Sequence, residues 1–250
     1  MFRWRGFGAI LDGRYLIVNI TSAIFDRSAP DLESCPDESL PEFAFIGRSN
    51  VGKSSLLNML AGAEGLARVS TTPGFTKLIN IFTMNRTWRL VDLPGYGFAQ
   101  VARKDSSRFN QMATNYLEHR ANLCCVFALL NSGLTPQQID VDFVQWLTSK
   151  TLPFVLVFTK TDKISATARQ ANIAAFAGRI SAWFEQLPTV LTCSAKTGQG
   201  REELLGVIDE ELRAIKAGRA LAAPDVSQDA GRKAGASDAR KSRPDRARPW

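Results

Sequence analysis

The run Gly47-Arg48-Ser49-Asn50-Val51-Gly52-Lys53-Ser54 has the spacing G-x-x-x-x-G-K-S. Glycines at these points let the backbone fold back so that its N–H groups converge on an anion. A helix opening at the end of the run adds the positive end of its dipole. Lys53 can reach outer phosphate oxygens, and the Ser54 hydroxyl can ligate Mg²⁺. Asp92-Leu93-Pro94-Gly95 offers a carboxylate that can hold Mg²⁺, directly or through water, and a Gly95 N–H for a terminal phosphate. In Thr159-Lys160-Thr161-Asp162, Asp162 can accept from the N1–H and the exocyclic amine of guanine. Adenine has no such donor pair. The Lys160 stem can cover the purine plane. Cys193-Ser194-Ala195-Lys196 can aim the Ala195 N–H at the guanine carbonyl oxygen. Between the first two motifs lies Ser70-Thr71-Thr72-Pro73-Gly74-Phe75-Thr76, where Thr71, Thr72 or Thr76 can complete a Mg²⁺ shell once a γ-phosphate is present. Taken together, this chemistry points to GTP and GDP as ligands with Mg²⁺ as cofactor.

These groups need a frame. The runs 43–46, 78–82, 88–91, 123–130, 154–158 and 190–192 read as strands, and 54–60, 106–119, 140–150, 166–185 and 201–216 as helices. Residues 124–130 and 154–158 are continuously apolar, as in strands buried on both faces. The five residues Thr83 to Thr87 suit a hairpin between the second and third strands. The expected fold is therefore α/β of the P-loop NTPase kind, with a doubly wound, mostly parallel six-stranded sheet, one antiparallel strand, and helices on both faces. All four motifs fall at or next to strand C-termini, where such a sheet binds ligand.

Three regions divide the chain of 250 residues. Residues 1–40 read as a partly flexible N-terminal extension, 41–216 as the nucleotide-binding domain, and 217–250 as a basic disordered tail. The tail has almost no large apolar residues, and carries +4 of the formal net charge of +7. It cannot bury enough surface to offset its ordering entropy. Its charge favours a polyanionic partner such as RNA. Phe2, Trp4, Phe7 and Ile10 are interrupted by Arg3, Arg5, Asp12 and Arg14, which does not suit a signal peptide. No run is long and apolar enough to span a membrane. Cys35, Cys124, Cys125 and Cys193 form no C-x-x-C pair, so they are expected to be reduced thiols in a cytoplasmic protein. The single His119 is expected at the surface.

The phrases Gly47 to Asn58, Thr72-Pro73-Gly74-Phe75-Thr76 and Asp92-Leu93-Pro94-Gly95-Tyr96-Gly97-Phe98-Ala99 resemble the EngB (YihA/YsxC) family of Era-like, translation-factor-class GTPases. The likeness runs from about residue 22 to 216. It implies a GTPase that serves as an assembly factor for the large ribosomal subunit and is needed for normal division and septation. The implied partners are that subunit or its assembly intermediates, rRNA and protein, with the chain a monomer. By the same resemblance, Gly47, Arg48, Ser49, Asn50, Val51, Gly52, Lys53 and Ser54 bind phosphates. Gly74, Phe75, Thr76, Lys77 and Leu78 form the first switch, and Asp92, Leu93, Pro94 and Gly95 the second. Thr159, Lys160, Thr161, Asp162, Cys193, Ser194 and Ala195 hold guanine. Ser54, Thr76 and Asp92 are the metal ligands, and Lys53, Thr76 and Gly95 the catalytic set. Phe75 stands where a basic residue is usual, and Asn131-Ser132-Gly133-Leu134 replaces a phrase that usually contains Asp and Arg. Thr159 is a frequent variant of the family's Asn.

Tyr96 occupies the position where many Ras-like GTPases carry a water-orienting glutamine. A phenol cannot align water as an amide does, so intrinsic hydrolysis is expected to be slow. It is expected to be completed in trans by ribosomal RNA, by protein, or by K⁺ held near Asn50. The alternative is a nucleotide-dependent ribosome-binding module with negligible turnover. A P-loop kinase or ATPase is disfavoured by the guanine motif, and a membrane-associated GTPase by the lack of an anchor.

Overall fold

The two long apolar runs form neighbouring central strands. In the computed structural model, which describes residues 18–63, 65–67, 78–96 and 103–218, they are β5 (Leu123–Asn131) and β6 (Phe154–Thr159). They pair in parallel from Val126 opposite Phe154 to Asn131 opposite Thr159. Around them stand β1 (Ala23–Ala29), β2 (Glu42–Gly47), β3 (Ile79–Met84), β4 (Trp88–Asp92) and β7 (Val190–Thr192). The order across the sheet is β1-β3-β4-β2-β5-β6-β7. β3 runs antiparallel to both neighbours, and the other pairings are parallel.

The sheet thus has seven strands rather than the six expected, with the expected single antiparallel strand. The additional strand is β1, inside the segment read as an N-terminal extension. It is an edge strand exposed over most of its length, so it lacks the apolar signature of a buried strand. The expected β3–β4 hairpin is present but tighter. Its turn is Asn85-Arg86, both at positive φ (49° and 57°), the combination of a type I′ turn. The Asn85 side chain also binds back to Asn19 and Thr21, tying the chain before β1 to this hairpin.

The helices are α1 (Lys53–Ala61), α2 (Arg103–His119), α3 (Gln138–Ser149), α4 (Ala166–Ile180) and α5 (Arg201–Lys216). Helices α1 and α5 cover one face with Leu56, Leu57, Leu60, Leu204, Leu205 and Ile208. The other face is covered by α2, α3 and α4 through Tyr116, Leu117, Phe143, Leu147, Phe176 and Ile180. The helix expected over 166–185 stops at Ile180. The chain then tightens into a 3₁₀ turn, and Phe184 is extended. Cys124, Cys125 and Cys193 are buried, Cys35 is half-buried, and all four are free thiols. His119 is exposed, as expected. The segments 1–17 and 219–250, including nearly all of the expected tail, lie outside the described residues.

At the N-terminal ends of the strands, Glu42 is fully buried and ringed by cations. Arg120 reaches its two oxygens at 2.7 and 2.8 Å, Arg89 approaches at 3.3 Å, and the Tyr116 hydroxyl donates to it. A buried carboxylate persists only when its lone pairs are satisfied in this way. The network pins the end of α2 to β2 and β4, on the side of the sheet opposite the motif loops.

Candidate active site

β2 ends at Gly47 and α1 begins at Lys53, so the loop between them starts at a strand C-terminus and ends at a helix N-terminus. Gly52 carries φ 104°, a conformation that side chains with a Cβ rarely adopt. Val51 N–H donates to the Arg48 carbonyl at 3.1 Å and closes the loop into a turn. No side chain caps α1 and no acidic residue sits in its first turn. Helix α4, by contrast, is capped by the Ser165 hydroxyl. The first-turn N–H groups of α1 and its dipole are therefore left for an anion. Ser49 Oγ is buried with no hydrogen-bond partner among the described residues, a polar group that a bound oxyanion would satisfy.

Lys53 and Asp92 form a buried ion pair beneath the loop. Gly95 lies so close to the loop that a Cβ there would sit 2.6 Å from the Gly47 carbonyl oxygen. Next to it, Tyr96 N–H donates to that carbonyl at 3.3 Å, and Tyr96 bridges to Arg48. The Tyr96 ring is buried against Phe143 (centroids 4.5 Å apart) and its hydroxyl donates to Asp140 Oδ1 at 3.0 Å. Burial pushes the Asp140 carboxyl up to about 6, against the lowering effects of the Tyr96 bond and of Arg48.

At the other end of the site, the Thr159 hydroxyl donates to the Val51 carbonyl at 2.6 Å and lies 3.1 Å from the Leu130 carbonyl. Lys160 adopts a left-handed backbone (φ 60°), its stem passes Gly52, and its ammonium donates to the Asn50 carbonyl. Burial, then the neighbouring Lys163, holds the Lys160 amine below its ordinary value. Asp162 is exposed, and its Oδ1 accepts from Ser194 Oγ at 2.7 Å. That bond lowers its pKa, so the carboxylate is ionised at neutral pH. Thr161 Oγ1 donates to Gln199 at 2.9 Å, which joins the loop after β6 to the loop after β7.

Residues 42–160 match the family model of 50S ribosome-binding GTPases. The chain is 46% identical over 189 residues to a probable GTP-binding protein EngB of Cytophaga hutchinsonii, covering 76% of this chain and 95% of that protein. The chain belongs to the EngB family. It is 42% identical over 200 residues to the relative from Phocaeicola vulgatus, all of whose length is covered. The crystal structure of a probable GTP-binding protein engB superposes with a TM-score of 0.56 at 27% identity, covering 69% of this chain and 98% of that one. The GTPase Era, in complex with MgGDPNP and 16S rRNA nucleotides, shares the fold with a TM-score of 0.57 at 21% identity.

The EngB-family chain is thus a GTPase, and the geometry brings most of its expected site residues to one edge of the sheet. Gly74, Phe75, Thr76 and Lys77 lie outside the described residues, and Leu78 is exposed just before β3. Ser54, in the first turn of α1, and Asp92, at the end of β4, supply hydroxyl and carboxylate oxygens, the hard donors that suit Mg²⁺. Among the described residues no group of three or more His, Cys, Asp or Glu is placed to hold a metal ion.

Some functional contacts left no signal, or only a partial one, in the sequence. Asn58 clamps Ala67 by two hydrogen bonds (2.6 and 2.9 Å) and so anchors the chain that follows α1. Ser194 orients Asp162, and Asp140 holds Tyr96. Asn58 closes the first family phrase, so its signal was present. Nothing in the spacing marked Asp140.

Proposed function

We propose that the chain is a Mg²⁺-dependent GTP/GDP switch that serves assembly of the large ribosomal subunit in the cytoplasm, and through it normal division and septation. Its membership of the EngB family carries this reading. The match of residues 42–160 to a 50S ribosome-binding GTPase model supports the choice of subunit. Residues 41–216 are the GTPase domain, extended by β1 from the segment before it, and 217–250 are a basic tail that contacts rRNA. Gly47 to Ser54 hold the phosphates, Lys53 exchanging Asp92 for phosphate oxygens. Gly95 N–H meets the γ-phosphate. Asp162, Lys160 and Ala195 hold the base. Ser54, Thr76 and Asp92 are the residues to hold Mg²⁺, which when bound offsets charge on the β- and γ-phosphates.

Residue 96 is a tyrosine whose phenol is committed to Asp140, so neither a side-chain amide nor a free hydroxyl stands directly after Gly95 to orient water. Intrinsic turnover is therefore slow, and an rRNA or protein contact, or K⁺ near Asn50, completes catalysis. The same observation favours a second reading, a nucleotide-gated ribosome-binding module with negligible turnover. Among the described residues no helix is long and apolar enough to cross a membrane.

Co-sedimentation with purified large subunits in GTP analogue, GDP and no nucleotide tests the proposal. Binding selective for the GTP form, and weakened more steeply by salt in the full chain than in a 1–216 truncation, is expected. Equal binding in every nucleotide state would sink the switch. Equal salt slopes would remove the tail from the interface. Stimulation of hydrolysis by the subunit, or by K⁺ over Na⁺, separates the two readings.

A further inference from the structure

The second switch is seated on α3 by two residues spaced three apart. Asp140 and Phe143 share one face of α3, as i and i+3 must. Phe143 lies against the Tyr96 ring, and Asp140 takes its hydroxyl at 3.0 Å. Tyr96 is therefore held at both ends. Its side chain is fixed in the core, and its backbone is fixed to Gly47 and Arg48 of the phosphate loop. Gly95 lies between this clamp and Asp92, close against the loop, with no room for a side chain. The direction of the Gly95 N–H thus follows from where the Tyr96 ring is held.

A carboxylate is an expensive way to fill this place, since burial raises the free energy of its charged form. An apolar residue would pack the ring as well but would leave the phenol hydroxyl unsatisfied. What Asp140 adds is a directional contact that fixes the ring along its long axis.

From this we propose that Asp140 is a positioning residue for GTP hydrolysis. Acting through Tyr96, it sets the Gly95 N–H toward the terminal phosphate and leaves binding of the first two phosphates and the base untouched. The proposal rests on the GTPase reading of the site. It assigns to α3 a role in the reaction that none of the four nucleotide motifs contains. Arg48, whose charge acts on both Tyr96 and Asp140, links the same tie to the phosphate loop.

The experiment compares the full-length wild-type chain with Tyr96→Phe, Asp140→Leu and Asp140→Asn. Single-turnover GTP hydrolysis is measured per nucleotide-binding site, beside the affinities for GDP and a non-hydrolysable GTP analogue. In Tyr96→Phe and Asp140→Leu, hydrolysis is expected to fall by about 10- to 100-fold, the scale of an ångström-level misplacement, with GDP affinity unchanged. Asp140→Asn keeps an oxygen that accepts from the phenol, and is expected to restore most of the rate. Wild-type rates per site in Tyr96→Phe and Asp140→Leu would overturn the proposal. So would GDP affinity that falls in parallel with rate, which marks a merely structural role. Should the wild-type chain bind GTP but not turn it over, the GTPase reading fails separately. The ratio of GTP-analogue to GDP affinity then decides. It drops in Tyr96→Phe if Asp140 and Tyr96 position Gly95, and a constant ratio refutes that.

Discussion

The hydroxyl of Thr159, at the end of β6, donates to the backbone carbonyl of Val51 in the phosphate loop, 108 positions earlier in the chain. Through this one side chain the loop proposed to read the base holds the loop proposed to cradle the phosphates. Thr159→Val keeps the shape and removes the donor, leaving the buried Val51 carbonyl without that partner. The expected cost is about 1–3 kcal/mol of stability, the range for an unsatisfied buried group. Affinities for GDP and GTP should fall together, by roughly tenfold, because about 1.4 kcal/mol of loop disorder enters both equilibria equally. Urea denaturation and fluorescent-nucleotide titration check this. A selective loss of GTP alone would contradict it.

Asp162→Asn should act differently, on the base alone. The carboxylate accepts from Ser194 through Oδ1 and is held ionised, leaving acceptor capacity for the two guanine donors. An amide replaces one acceptor by a donor. Guanine-nucleotide affinity is expected to fall by about 10- to 100-fold, in line with the 1.5–3 kcal/mol of a hydrogen bond to a charged group. A xanthine nucleotide, with a carbonyl in place of the exocyclic amine, should gain relative to GDP. Competition titration with GDP, XDP and ADP reads this directly, and unchanged preference for GDP would remove Asp162 from base recognition.

What the sequence disclosed and what it hid have a physical division. β5 and β6 were legible because both of their faces are covered, which demands uninterrupted apolar runs. The phosphate loop was legible because its glycines, lysine and serine are contiguous in sequence. β1 was not, because an edge strand with Asp26, Arg27 and Ser28 in solvent carries no burial pattern. Tyr96 was visible as a departure from glutamine, but its partner Asp140 lies 44 residues away on α3. A hydrogen bond between elements leaves no periodicity. Motifs report local chemistry, whereas the contacts that hold motifs to one another become visible only in the fold.

Arg120 tests whether the far end of the sheet is stability without function. Its guanidinium makes the two shortest cation contacts to the fully buried Glu42. Arg120→Met keeps much of the aliphatic stem and strands part of the carboxylate's charge. A loss of about 3–5 kcal/mol is expected, as for other buried pairs broken on one side. Because the network lies at the strands' N-terminal ends, GDP affinity of the folded variant should be unchanged. Adding Glu42→Gln should recover part of the loss, and the double-mutant cycle measures the coupling. A large change in nucleotide affinity would show instead that α2 transmits strain from this end of the sheet to the site.

Asp140 also predicts a pH dependence with a definite direction. Its carboxyl is raised from 3.8 to about 6 in the fold, chiefly by burial. Between about pH 4 and pH 6 the native state therefore binds more protons at this residue than the unfolded chain does, and its contribution to stability falls as pH rises through that window. Above the folded value the loss is complete. Asp140→Asn cannot titrate, so its stability lacks this slope. Relative to wild type the variant should gain with rising pH, by on the order of 3 kcal/mol in total between pH 4 and pH 7, since each tenfold change in proton affinity corresponds to about 1.4 kcal/mol. Glu211, also raised, to about 7, titrates in both proteins and cancels from the difference. The Tyr96 hydroxyl, whose own pKa is pushed well above 10, stays protonated throughout and donates to either side chain. Urea denaturation at pH 4, 5, 6 and 7 gives the two profiles. If they run parallel, Asp140 is ionised at its ordinary value in the fold, and the tie to Tyr96 is a bond between a phenol and a carboxylate that burial does not strain.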